Sequence, residues 1–165
     1  MTILVAYSTK TGNTEKVANA IYEVIKEKAT IKKLPDASCE NFDTVIMGYW
    51  VDRAKANEES IAFLKTLAGK KVVLFGTLGA GDVDDYYKKV CDSVENELPS
   101  DCTLLGHQLY RASSIRLAML RKQHAEDPND AEVSKQLEDY EANKNRPNAQ
   151  DLLHAQEFVV DALSE

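Results

Sequence analysis

Short runs of unbroken apolar residues alternate along this chain with longer stretches of helical period, and that alternation restricts the fold more than any other feature. The runs are residues 3–6, 45–47, 72–75 and 103–105, each too short for a core helix. Continuous apolarity suits strands covered on both faces, as in a parallel sheet. A weaker fifth strand is expected at residues 30–34, closed by Pro35, with Lys32 and Lys33 suited to an edge. Between the runs, Val17, Ile21, Val24 and Ile25 fall at spacings that share one helix face, as do Ile61, Leu64, Leu67 and Ala68, and then Val83, Tyr87, Val90 and Val94. The expected class is α/β, a doubly wound five-stranded parallel sheet with helices on both sides.

After Ala112 the character changes. Residues 114–145 are strongly charged, with weaker helical sets at Ile115, Ala118 and Met119 and at Val133, Leu137 and Tyr140. Asp127, Pro128 and Asn129 interrupt them, with Pro128 at a position where a helix can begin. Arg146, Pro147 and Asn148 break the chain again before a last helix bearing Leu152, Ala155, Val159 and Ala162. The expected organisation is one domain over residues 1–165, with a helical insertion at about 114–145 before that helix.

Charge limits the partners. With 27 acidic against 20 basic side chains the formal net charge is −7, a field that repels nucleic acid and anionic membrane surfaces and favours a basic protein face. No run approaches the ~20 apolar residues that span a bilayer. The start, MTILVAYSTK, has no basic region ahead of its apolar run and is expected to be a first strand, not a signal peptide. Cys39, Cys91 and Cys102 are odd in number and far apart, which fits reduced thiols in a cytoplasmic protein. His107, His124 and His154 have no close ligand spacing with one another or with the cysteines, so no metal site is expected.

The richest local signal follows the first strand: Ser8, Thr9, Lys10, Thr11, Gly12, Asn13, Thr14, and then a helical pattern at once. Such a turn can aim several N–H groups and hydroxyls at one phosphate, with the positive end of the helix dipole behind them. Gly12 lets the backbone approach closely. The alternative is a capped turn whose hydroxyls serve only the helix. Thr9 to Thr14 matches the TxTGxT phosphate loop of the flavodoxins, and the order of elements over residues 1 to about 112 resembles that family. The loop has neither the GxxxxGK[ST] nor the GxGxxG pattern.

The resemblance implies a strand order of 2-1-3-4-5 and an FMN site at the carboxyl edge of the sheet. It assigns the FMN phosphate to residues 8–14 and the isoalloxazine to two further loops. The first of these carries Tyr49, Trp50, Val51 and Asp52, with Trp50 the only tryptophan and aromatic surface suited to a flat ring. The second carries Thr77, Leu78, Gly79, Gly81 and Asp82, where glycines free the backbone to meet the polar edge of a flavin. Asp82, Asp84 and Asp85 also suit a helix start or an acidic docking face, and Ser113 and Ser114 are expected to cap a helix.

The chain departs from the family pattern at residues 49–56, which contain no glycine. Many flavodoxins turn a glycine peptide there to bond the flavin N5 when the ring gains an electron. Here that turn needs positive φ at a residue with a side chain, costing on the order of 1 kcal/mol. Arg53 and Lys55 are unusual beside a flavin and are expected to be solvated surface. The resemblance implies an electron-transfer protein that shuttles electrons between redox partners, one with a basic docking face. The alternative is a flavin-dependent oxidoreductase acting directly on a quinone, tetrapyrrole or nicotinamide.

Overall fold

In the computed structural model, which describes residues 1–79 and 84–164, the first strand, β1 (Ile3–Tyr7), is buried at every position. Its neighbours follow from the same pattern. Strand β2 (Ala29–Lys33) pairs with one side of β1, and β3 (Thr44–Asp52) with the other, both parallel. Next to β3 lies β5 (Lys71–Leu78), and then β6 (Thr103–Arg111). The order is β2-β1-β3-β5-β6, with a two-residue β4 (Lys55–Ala56) paired antiparallel to β3. This is the expected parallel order, and β2, with its exposed lysines, is the edge.

Alternation of side chains sends each central strand into two cores. Ile3, Val5, Tyr7, Ile46, Val73 and Phe75 pack beneath helix α1 (Asn13–Ile25) and helix α6 (Ala149–Leu163), through Val17, Ala18, Ile21, Ala155 and Val159. On the other face Leu4, Ala6, Val45, Met47, Tyr49 and Leu74 meet helices α2 (Glu58–Leu64) and α3 (Asp84–Glu95), through Phe63, Leu64, Val90 and Val94.

Two helices occupy the charged segment: α4 (Arg116–Glu126) and α5 (Ala131–Ala142). Asp130, not Pro128, starts α5, its carboxylate accepting from the amides of Glu132 and Val133. Arg111, at the end of β6 and 5% exposed, ties this pair to the sheet. Its guanidinium donates to both carboxylate oxygens of Asp139, at 3.3 and 2.5 Å, and lies 5.5 Å from the Tyr140 ring centroid. Such bidentate contact fixes orientation as well as charge.

Strands β3 and β6 overrun their apolar signals. Strand β3 continues past Gly48 to Asp52 and turns back at Arg53 and Ala54, which have φ of 55° and 66°. Positive φ at both central residues is the type I′ hairpin, which asparagine and glycine normally supply. This glycine-free stretch therefore holds two residues with side chains at positive φ. Ala54→Gly is expected to stabilise the protein by about 1 kcal/mol, read as a higher urea midpoint at unchanged slope.

Candidate functional site

Gly12, with φ of 94°, is the N-cap residue of α1, and no side chain caps that helix end. Its hydroxyl neighbours are committed elsewhere or open. Thr9 Oγ1 accepts from the Gly12 amide at 3.0 Å, closing the loop on itself. Thr14 Oγ1 is buried and shares a 2.8 Å hydrogen bond with Thr77 Oγ1, joining the first loop to the end of β5. Asn13 Nδ2 donates to Thr11 Oγ1 at 3.2 Å and to the Ser113 carbonyl at 3.3 Å. The helix amides are thus left facing outward, and nothing lies within 4 Å of the place a Gly12 Cβ would occupy. An exposed, uncapped helix N-terminus is a favourable seat for an anion.

That seat opens into a cleft of about 330 Å³, within the usual size for a small-ligand site. Thr9, Lys10, Thr11, Asn13 and Thr14 form one wall. Trp50, Val51 and Asp52 form the second, and Thr77, Leu78 and Gly79 the third. Gly81 and Asp82, assigned to the third loop from sequence, lie outside the described residues. Ser8 and Gly12 are not among the cleft-lining residues. Ser8 is buried behind the wall, donating to Glu59 Oε1 at 2.8 Å and accepting from Asn57 Nδ2 at 2.9 Å.

Tyr49 corrects the expectation of two rings at the ligand. Because β3 remains a strand here, neighbouring side chains point to opposite faces, and Tyr49 is fully buried beneath α3 while Trp50 faces the cleft. The Tyr49 hydroxyl shares a 2.6 Å hydrogen bond with His107 Nε2, and His107 Nδ1 lies 2.8 Å from Glu95 Oε2. Burial, and then the nearby Cys91 and Glu95, hold the phenol well above its usual range. Burial lowers His107, against the opposing pull of Glu95. His107 is therefore a core residue and does not line the cleft.

Asn57 is the supporting residue that sequence patterns conceal. It stands at the N-cap position of α2 yet makes no side-chain cap. Instead its Oδ1 accepts from the Trp50 amide at 3.3 Å and from Ser60 Oγ at 2.8 Å, and its own amide donates to the Trp50 carbonyl at 3.0 Å. With Ser8 on its Nδ2, Asn57 locks the first two walls together.

A fourth wall comes from Ala112, Ser113, Ser114, Ile115 and Arg116, with Tyr86 and Tyr140. The two serines are not simple caps: Ser113 holds Asn13, and Ser114 Oγ accepts from the Arg116 amide at 3.1 Å. Three cations border the mouth, unexpected in an acidic chain. Lys10 Nζ lies 5.2 Å from the Trp50 ring centroid, Arg116 sits 6.0 Å from that of Tyr140, and Arg53 is exposed beside Asp52. Arg53, expected to be plain surface, thus also belongs to the cleft.

A family model for the flavodoxin domain matches residues 4–160. The flavodoxin-like domain-containing protein BilS of Clostridioides difficile (strain CD3) is 31% identical over 171 residues, an overlap of 99% of this chain and 97% of that protein. BilS of Clostridium symbiosum (strain WAL-14163) is 24% identical over 184 residues, with 99% and 96% covered. Among solved structures, a flavodoxin from the domain Archaea superposes with a TM-score of 0.54 at 15% identity, covering 99% of this chain and 97% of that one. A flavoprotein in complex with FMN from Lactobacillus acidophilus NCFM gives 0.51 at 16% identity, covering 66% and 92%. At such identities the structures speak for the fold.

Proposed function

We propose, for a chain that belongs to the flavodoxin domain family, that the cleft holds FMN and that the protein passes electrons between redox partners through it. The observation that carries this reading is the uncapped N-terminus of α1 opening into the same cleft as Trp50. The residues fit the group. The amides at the start of α1, with Thr9 and Thr11, would hold the phosphate, Trp50 would cover one ring face, and the Thr77–Gly79 backbone would meet the polar edge. Bound there, FMN would supply the one- and two-electron chemistry.

The chain's own part is binding, orientation and electrostatics. Lys10, Arg53 and Arg116 favour an anionic phosphate and, by the same field, ease the addition of electrons to a neighbouring ring. A partner's basic face, expected from the net charge of −7, then has to meet acidic surface to the side of these three cations. No helix among the described residues is long and apolar enough to cross a membrane.

A second reading, direct reduction or oxidation of a small substrate, is favoured by the fourth wall. Ile115, Arg116 and Tyr140 shape the cleft beyond what the three expected loops supply. Purified protein mixed with FMN is expected to bind one equivalent, seen as quenched flavin fluorescence and retention on dialysis. Absence of uptake would overturn both readings. Saturable anaerobic reduction of the bound flavin by NADH or NADPH alone would select the second; reduction only through a partner protein would select the first.

A further inference from the structure

Away from the cleft, α3 and β6 bring together a set of side chains that electron transfer through FMN does not use. Cys91 and Glu95 stand one turn apart on α3 and so share a face. His107 of β6 comes up against them, and one ligand-type atom from each of the three lies within 4.8 Å of the other two. None of the three borders the cleft. We propose that Cys91, Glu95 and His107 bind a divalent cation of the zinc class.

The donor set points to that chemistry. Sulfur, imidazole nitrogen and carboxylate oxygen are the three ligand types of zinc, whereas calcium and magnesium call for oxygen alone. Ligand atoms around a tetrahedral zinc stand roughly 3.5 Å apart, given bonds of about 2.0–2.3 Å. The three ligand atoms, all within 4.8 Å of one another, already lie near that spacing. All three residues are partly buried, which shields the site in part from solvent.

The surroundings supply the outer support that metal-bound histidines need. Tyr49 stands 2.6 Å from His107 Nε2, fixing the ring with Nδ1 2.8 Å from Glu95 Oε2. On binding, the imidazole proton moves from Nδ1 to Nε2, where Tyr49 Oη accepts it as a hydrogen bond. Tyr49 keeps its own phenol proton. The Cys91 thiol releases its proton to solvent as the metal–sulfur bond forms. One dication, one thiolate and one carboxylate sum to zero, a balance suited to partial burial. Without a cation the thiol is held up at about 11, by burial and by its neighbours Glu95 and Asp92, so this cysteine stays protonated and inert.

The spacing argument against a metal site does not reach this cluster, because its members come from two separate elements. Their approach depends on how α3 packs on the sheet. The test is titration of the chelator-treated full chain with Co²⁺ alone. We expect one equivalent to produce a near-ultraviolet thiolate-to-cobalt band with visible bands of a four-coordinate ion, all displaced by Zn²⁺. Cys91→Ser, nearly isosteric and checked for native circular dichroism, is expected to lose the thiolate band, while Cys39→Ser and Cys102→Ser keep it. No thiolate band in the unaltered chain, or a band that survives Cys91→Ser, would overturn the site.

Discussion

Thr11→Glu is expected to remove FMN binding almost entirely while leaving the fold intact. Thr11 is exposed at the cleft wall, one residue before the uncapped start of α1. A carboxylate placed about 4 Å from a phosphate opposes it by about 4 kcal/mol per unit charge at an effective dielectric of about 20. That corresponds to a loss of about 10³-fold in affinity. Thr11→Ser, which keeps the hydroxyl, is expected to bind within a few-fold of the unaltered protein. The more obvious target, Thr14, is a poor choice, because its hydroxyl is buried against Thr77 and its loss would disturb the join between α1 and β5. Equilibrium dialysis against FMN checks the pair of variants. Unchanged binding by Thr11→Glu would move the phosphate away from this helix end.

Gly48→Ala is expected to cause the largest loss of stability of any single methyl addition to the sheet. A Cβ at Gly48 would stand 2.2, 2.5 and 2.9 Å from three ring atoms of Phe75, well inside contact. Phe75 is fully buried, and Gly48 is its register partner between β3 and β5. The ring therefore has little room to yield, and overpacking of this kind costs about 3 kcal/mol. The urea midpoint should fall with little change in slope. Adding Phe75→Leu to Gly48→Ala is expected to return part of that loss, since the two changes act on one contact. Strict additivity would show that the ring is not what excludes the methyl group.

How much of this was legible in the sequence depends on the range of the forces involved. The strands inside the sheet announce themselves because burial on both faces demands unbroken apolar runs, and the phosphate loop does so because it is contiguous. The ends of β3 and β6 do not, since there the strand leaves the core and its composition turns polar. That explains the misplacement of Tyr49: with the apolar run read as 45–47 and Tyr49 and Trp50 placed in a loop after it, the two look like loop neighbours rather than opposite faces of one strand. The role of Asn57 was hidden for a different reason. Its position before Glu58 and Glu59 reads as a helix cap, and only the fold shows its side chain spent on Trp50, Ser60 and Ser8. Ile115, Arg116 and Tyr140 reach the cleft because Arg111 fastens α5 through Asp139, a contact between residues with no local pattern in common. Gly81 and Asp82 lie outside the described residues.

Trp50 is the only tryptophan in the chain, and the fold has put it in the cleft, under Lys10 and backed by Asn57. Indole emission from this protein is consequently a signal from one place. The molecule carries its own optical gauge of that cleft, with no other indole to dilute the reading and no label needed. Its seven tyrosines can be left dark by exciting at the red edge of the indole band, so events at Trp50 can be followed in real time in the unmodified chain.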